Sequence, residues 1–131
     1  MRAGTIILQD NKILLIHRFK NGREFFALPG GGVEDGESAE ETAIREAKEE
    51  TNLDIVLGKK FLEYYNDFDK RKNIVFFADS FVGDIKLGGP EVGRNSEENK
   101  YILEWHDFGE LKDLNIVPEL LKEKIIEKYG V

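Results

Sequence analysis

The feature that most constrains this chain is the stretch 31–53, in which a glycine-rich turn leads into a helix with clear ends. Ser38 with Glu41 three residues later forms a capping-box pattern, which marks the start of a helix. Asn52 readily takes the left-handed conformation that ends a helix. We therefore predict a helix over 39–51, preceded by bare glycine backbone that can approach a ligand closely.

Three glutamates of this predicted helix lie on one side of it. Glu46, Glu49 and Glu50 are spaced i, i+3 and i+4, so they fall within an arc of about 100°. Like charges one turn apart repel, and the helix dipole disfavours anions near the C-terminus. A solvated face usually alternates signs, yet Lys48 lies on the opposite side of this helix. We therefore predict a cation among the three carboxylates.

The charged positions of the whole stretch follow one pattern. Gly31 and Glu37 are followed by the block 45–53, whose sequence is REAKEETNL. This pattern resembles the Nudix box, the signature of the Nudix hydrolases, a superfamily that is also called MutT-like. Asn52 stands where the family usually has glycine, and Ala47 is a small version of an aliphatic position. Asn52 can still end the helix in the left-handed conformation, and Ala47 can still make a core contact.

The resemblance implies an α/β fold, a Nudix-type α/β/α sandwich with a mixed β-sheet. It also implies hydrolysis of a pyrophosphate bond in a nucleoside diphosphate linked to some group X. Carboxylate and carbonyl oxygens suit Mg²⁺ or Mn²⁺, and such an ion lowers the pKa of bound water. The chain has no cysteine, and its histidines are His17 and His106. A zinc site or a Cys-His or Ser-His-Asp centre is therefore disfavoured.

The resemblance also implies roles for individual residues of the box. Glu46, Glu49 and Glu50 are the expected metal ligands, and Glu46 is also a candidate for the catalytic base. Gly31, or its neighbour Gly30, is expected to offer a carbonyl oxygen to the metal. The alternative for both glycines is a purely structural role in the turn.

Two further box residues are expected to support these ligands. Arg45 is expected to orient Glu46, and the alternative is a simple ion pair with Glu41 or Glu49. Glu37 either holds the preceding loop together or ligates the metal weakly. We leave both alternatives open.

Candidate site residues also lie outside the box. A catalytic base in some family members comes from a loop before the last strand, where this chain has Glu97 and Glu98. We prefer Glu98 as that base, with an ordinary acidic loop as the alternative. Arg18 and Arg23 are candidate substrate-binding residues that would contact phosphate. His17 is interpreted as a strand-face residue and not as a catalyst.

The remainder of the chain reads as one domain, residues 1–131, with strands around the box helix. The Asp10-Asn11 pair predicts a two-residue hairpin turn, and a charged turn is predicted over 67–73. A C-terminal helix is predicted over 114–129, starting near Pro118. The predicted strands are 3–9, 12–19, 25–28, 53–65 with a break at 58–60, 73–82 and 100–106. The predicted buried side of the last helix is Leu120, Leu121, Ile125 and Ile126.

Composition excludes several classes of protein. The net charge of −7 argues against binding a long nucleic acid through its phosphates. No apolar run approaches the roughly 20 residues that span a bilayer. The chain has no cysteine, and its first residues show no signal-peptide pattern, so we expect a cytoplasmic protein without disulfides. A small-molecule nucleotide is the expected partner, and a homodimer is left open.

The set of candidate substrates is narrowed mainly by elimination. A proline about 15 residues beyond the box is typical of the ADP-ribose enzymes of the family, and residues around Asp69 occupy that region instead. The tyrosine of the diadenosine polyphosphate enzymes is also missing there, because Tyr64 and Tyr65 come too early. Nucleoside triphosphates, including oxidised ones, are therefore the favoured substrates. The alternatives are a non-catalytic nucleotide-binding sensor and an acidic protein-contact domain.

Overall fold

The computed structural model describes residues 1–67, 69–86 and 99–130, which form two β-sheets and two α-helices. The elements are β1 (Arg2–Ile6), β2 (Leu8–Gln9), β3 (Lys12–Lys20), β4 (Arg23–Ala27), β5 (Gly30–Gly32), α1 (Ala39–Thr51), β6 (Asp54–Asn66), β7 (Arg71–Val82), β8 (Asn99–Asp107), a 3-10 helix (Phe108–Asp113) and α2 (Glu119–Tyr129). Within these described ranges, neither α-helix has the length and apolar content needed to cross a bilayer.

The predicted α/β class with a mixed sheet is confirmed, but the strands divide into two sheets and not one. The first sheet has the order β5-β1-β7-β6, in which β1 and β7 are parallel and the other pairs are antiparallel. In the second sheet, β3 pairs antiparallel with β2, β4 and β8. Asp10 and Asn11 have positive φ angles, as the predicted two-residue turn between β2 and β3 requires.

Helix α1 has the bounds that the sequence predicts. The Ser38 hydroxyl accepts the Glu41 backbone N–H at 3.0 Å, and the Glu41 carboxylate accepts the Ser38 N–H at 2.9 Å. Asn52 ends the helix with a φ of 70°. Each end is thus fixed by bonds between residues a few positions apart, which is why local sequence signals were sufficient.

Small residues let α1 lie close to the first sheet. Ala43 and Ala47 are almost completely buried, and they pack in apolar clusters with Ala3, Phe76 and Leu53. Helix α1 contacts β1, β5 and β6. This packing brings the glutamates of the helix beside the glycines of β5, which is the geometry that the site depends on.

The predicted start of the C-terminal helix near Pro118 is confirmed, because Pro118 is its N-cap, but the predicted range 114–129 begins too early. Residues 108–113 form the 3-10 helix, and α2 begins only at Glu119. The intervening segment is extended because it pairs with β4: Phe26 N–H donates to the Asn115 carbonyl at 2.9 Å, and Val117 N–H donates to the Phe26 carbonyl at 2.9 Å. Such pairing between distant residues has no local sequence signal.

The buried side of α2 and the turn before β7 also differ in part from the prediction. Leu121 and Ile125 are buried, as predicted, but Leu120 is 42% exposed and faces away from the core. The charged turn is shorter than predicted, since β7 already begins at Arg71. The predicted break in β6 is confirmed, because its pairing with β7 shifts register between Val56 and Leu62.

A chain of hydrogen bonds joins both histidines to three glutamates on the second sheet. His17 contacts Glu24 and Glu104, each at 3.0 Å, and His106 contacts Glu104 at 2.7 Å and Glu110 at 3.1 Å. Burial raises the pKa of Glu104, but the hydrogen bonds from the two histidines outweigh it and hold the pKa below its ordinary value. The ionised carboxylate therefore links β3 to β8 and stabilises the fold.

We predict that Glu104→Gln lowers the free energy of unfolding by about 1 kcal/mol at pH 6. A lowered pKa contributes stability above the ordinary carboxyl value, and that contribution is lost as the pH falls through the folded pKa. The difference between the two proteins should therefore shrink on acidification below about pH 4. Urea unfolding followed by circular dichroism at several pH values measures this difference in the free energy of unfolding.

Glu123→Gln is the matched control, because Glu123 is exposed on α2 and has no ion pair among the described residues. It should change stability little at any pH. Equal effects of the two substitutions over the whole pH range would refute a stabilising role for the Glu104 carboxylate.

Candidate active site

The site is built where α1 crosses the glycine strand β5. Strand β5 is an edge strand of the first sheet, and it pairs with β1. The Gly30 backbone N–H donates to Glu50 Oε1 at 2.7 Å, and Glu50 is buried, with 7% of its surface exposed. This bond anchors the last glutamate of the box to the glycine strand, so that helix and strand form one unit.

Gly31 lies directly against the carboxylate of Glu46. A Cβ atom at Gly31 would stand 2.5 Å from both Cδ and Oε1 of Glu46. No real Cβ makes such a contact, so this close approach requires glycine at position 31. The structure thus brings together the two residues that the resemblance to the Nudix box placed beside a metal.

Arg45 is the hub of the acidic residues around α1. Its Nη1 donates to Glu46 Oε1 at 2.9 Å and to Glu49 Oε2 at 3.2 Å. Its Nε and Nη2 donate to the two oxygens of Glu37 at 2.7 and 3.0 Å, and Nη2 also donates to the Gly32 carbonyl at 3.2 Å. Arg45 therefore makes the predicted contact with Glu46 and the alternative contact with Glu49 at once.

Glu37 joins the loop before α1 to this network. Hydrogen bonds from Arg45 and Thr42 lower the pKa of Glu37 to about 2. The bond to Glu37 in turn raises the pKa of Arg45 above its ordinary value. Both groups are thus charged at neutral pH, and Glu37 has the contacts of a residue that holds the loop in place.

Thr42 is a member of this network that sequence reasoning missed. Its hydroxyl donates to Glu37 Oε1 at 2.5 Å and also lies 3.0 Å from the Ser38 carbonyl. A threonine in a first helical turn ordinarily bonds the carbonyl four residues earlier. The sequence therefore carries no signal for the additional bond to Glu37.

The donor set of the box fits a hard divalent cation. All of its side-chain donors are carboxylate oxygens, which Mg²⁺ and Mn²⁺ prefer. Glu46 and Glu49 already share one positively charged nitrogen, Nη1 of Arg45. In the described part of the chain, no three acidic or histidine side chains stand close enough together to hold a metal ion. A metal bound by Glu46, Glu49, Glu50 and Gly31 therefore stays a prediction.

A cleft of about 270 Å³ opens beside this unit, with walls from both sheets. Pro29 and Gly30 are among its lining residues, so the cleft and the Glu50 anchor share Gly30. Its polar lining residues are Arg2, Arg18, Tyr64, Asn66, Asp69 and Asn73. A substrate in the cleft would therefore lie next to the carboxylates of α1.

The candidate residues outside the box lie in different parts of the structure. Arg18 lines the cleft, whereas Arg23 is exposed and lines a neighbouring cavity with Phe25. His17 lies on the opposite face of β3 from Arg18, because successive strand residues alternate. Glu98, like Glu97, lies outside the described residues.

Comparison with known proteins identifies the class to which this fold and site belong. The family model for the NUDIX domain matches residues 1–128. ADP-ribose pyrophosphatase of Methanocaldococcus jannaschii is 40% identical over 129 residues, which cover 95% of this chain and 69% of that protein. A putative 8-oxo-dGTP diphosphatase of Bacillus subtilis is 34% identical over 90 residues, which cover 69% of this chain and 60% of that protein.

A solved structure supports the fold independently. The MutT protein from Methanosarcina mazei has a TM-score of 0.74 at 23% identity, covering 96% of this chain and 89% of that one. The chain belongs to the Nudix family, and it is a Nudix hydrolase. The predicted membership of the Nudix hydrolases is therefore confirmed, together with the predicted α/β fold.

We predict that Gly31→Ala reduces turnover by about 100-fold, because the new Cβ displaces the Glu46 carboxylate, and small displacements at a reacting centre cost about that much. The fold should survive, since the atoms displaced are at the end of a flexible side chain. Turnover at saturating Mg²⁺, with a thermal melt of each variant, measures both effects.

Gly32→Ala is the matched control on the same strand. Its Cβ would meet nothing closer than Arg71 Nη1 at 4.0 Å, so turnover should remain close to that of the parent. If the two alanine variants lose activity equally, the contact between Gly31 and Glu46 has no special role.

Proposed function

We propose that this protein is a metal-dependent pyrophosphohydrolase that acts on a nucleoside diphosphate linked to a further group. The observation that carries the proposal is that Gly30 belongs both to the cleft and to the contact with Glu50. This residue lines the cleft and also anchors Glu50, so a diphosphate bound near Gly30 would lie close to the glutamates of α1. Membership of the Nudix family supports the same reaction.

The roles of the chain's residues follow from this arrangement. Glu46, Glu49 and Glu50, with the carbonyl of Gly31, would hold Mg²⁺ or Mn²⁺. Such an ion neutralises phosphate oxygens and lowers the pKa of the attacking water. Arg45 holds Glu46 and Glu49 in place through Nη1.

The base that takes the proton from the water is either Glu46 or Glu98. Arg18 and Arg23 are proposed contacts to the substrate, and Arg18 lines the cleft itself. Residues 1–131 are proposed to act as one domain, because the family model matches 1–128. A cytoplasmic location and a homodimer stay predictions.

Two substrates are supported by different observations. Nucleoside triphosphates are favoured by the missing proline and tyrosine beyond the box, and the B. subtilis relative is named for an oxidised one. ADP-ribose is the second candidate, because the relative that is 40% identical is named ADP-ribose pyrophosphatase. A sensor that binds without cleaving is disfavoured, because the chain retains every carboxylate of the box.

A product assay separates these candidates. The protein is incubated with Mg²⁺ or Mn²⁺ and, separately, with nucleoside triphosphates and ADP-ribose, and the products are resolved by chromatography. Hydrolysis of a triphosphate to a monophosphate and pyrophosphate supports the first substrate, and AMP with ribose 5-phosphate supports the second. Nucleotide binding with no turnover under either metal would show that the protein is a sensor.

We predict that Glu49→Gln and Glu50→Gln each reduce turnover by at least about 100-fold, because a neutral amide is a weaker ligand for Mg²⁺ than a carboxylate. The fold should be retained, since a glutamine at position 50 still offers an oxygen to the Gly30 N–H. Turnover as a function of Mg²⁺ concentration measures the effect.

Glu40→Gln is the control for these variants, because Glu40 is an exposed residue in the first turn of the same helix. It should leave turnover and Mg²⁺ dependence nearly unchanged. Normal turnover by the Glu49 and Glu50 variants at saturating Mg²⁺ would show that these carboxylates are not metal ligands.

A further inference from the structure

Arg18 is held rigidly in the wall of the cleft, but its donors are not all used. Its Nη2 donates to Asn99 Oδ1 at 2.9 Å, and its guanidinium carbon lies 3.7 Å from the centre of the Tyr101 ring. Its Nε is buried without a hydrogen-bond partner. Among the described residues, no carboxylate forms an ion pair with Arg18. Arg18 therefore brings to the cleft wall a positive charge that has no carboxylate partner among the described residues.

The surroundings of Arg18 determine how a ligand would meet it. Tyr101 covers one face of the guanidinium, and the ring centre of Phe25 is 5.5 Å from its carbon. A ring inserted between two groups needs about 7 Å, twice an ordinary contact distance. A ligand therefore meets the edge of the guanidinium. That edge carries only N–H donors, and it pairs with two adjacent acceptors.

The opposite wall of the cleft offers the complementary chemistry at Asp69. This residue lines the cleft from the turn between β6 and β7, and its Oδ1 accepts the Arg71 backbone N–H at 3.1 Å. A carboxylate only accepts hydrogen bonds when ionised, and it repels phosphate. Arg2 lies on the same wall and has no ion pair among the described residues. The two walls thus present donors at Arg18 and an acceptor at Asp69, which suits a group with acceptors on one edge and donors on the other.

Guanine has this distribution of polar groups. Its O6 and N7 are adjacent acceptors, which arginine recognises with two hydrogen bonds, and its N2 amino group is a donor. Its N1–H lies beside that amino group, so a carboxylate can accept both protons. Adenine presents its N6 amino donor next to N7, and that donor would face the donors of Arg18. Oxidation of guanine at C8 likewise turns N7 into a donor.

We propose that the cleft selects unoxidised guanine, with Arg18 contacting O6 and N7 and Asp69 contacting N1 and N2. This inference rests on the proposed function, because it takes the cleft to hold the nucleoside of the substrate. It assigns Arg18 to the base, whereas the sequence suggested a phosphate contact, and it favours an unoxidised guanine nucleoside triphosphate over ADP-ribose and over oxidised triphosphates.

Binding of nucleoside monophosphates to the metal-free protein tests the proposal without requiring turnover. Isothermal titration calorimetry should show GMP bound at least about tenfold more tightly than AMP or 8-oxo-GMP, the discrimination that one two-bond contact provides. Asp69→Asn should remove most of the preference, and because Asp69 is exposed the variant should fold normally. Arg18→Lys should weaken GMP binding more than AMP binding.

Asp113→Asn is the control, because Asp113 is exposed at the end of the 3-10 helix and does not line the cleft. It should keep the preference of the parent protein. Equal or tighter binding of AMP, no binding of either nucleotide, or an unchanged preference in Asp69→Asn would each overturn the proposal. Selective GMP binding without hydrolysis of any guanine nucleotide would instead refute the proposed function and leave the base assignment intact.

Discussion

The site depends on one guanidinium group, that of Arg45. Without a cation, the glutamates at the end of α1 would repel one another and would oppose the helix dipole. Arg45 binds Glu37 in the loop, Glu46 and Glu49 on the helix and the Gly32 carbonyl on β5. One side chain thus joins three consecutive elements and keeps their acidic groups together in a protein of net charge −7. Electrostatic attraction between Arg45 and the carboxylates of the box therefore determines the arrangement of the site.

Close packing of backbones makes this arrangement possible. Gly31 admits the Glu46 carboxylate, and Ala43 and Ala47 let the helix lie near the first sheet. Because Gly30 both bonds Glu50 and lines the cleft, the glutamates of α1 and the cleft share one residue. Charge is distributed accordingly, with carboxylates around α1 and Arg18, which forms no ion pair among the described residues, in the cleft wall. Such a division suits a ligand whose diphosphate and base need different surroundings.

The residues around α1 are those of the box that is common to the Nudix hydrolases, whereas the cleft is the proposed source of this chain's substrate preference. The pyrophosphate chemistry is common to both substrate candidates, so the box does not separate them. In the proposed base site, residues from distant positions would separate them, since Arg18, Asn99 and Tyr101 come from β3 and β8, and Asp69 comes from the turn before β7. The proposed specificity would accordingly depend on how the two sheets face each other.

The sequence by itself determined α1, its two caps, the hairpin at Asp10-Asn11 and the membership of the box residues in one cluster. These features depend on contacts between residues within a few positions, or on a motif whose spacing is fixed by the helix. Only the tertiary structure decided the division into two sheets, the extended segment before α2 and the bonds of Arg18. Those features depend on pairing between distant residues, as when Phe26 holds 115–117 extended, and no local pattern specifies which distant backbone a segment meets.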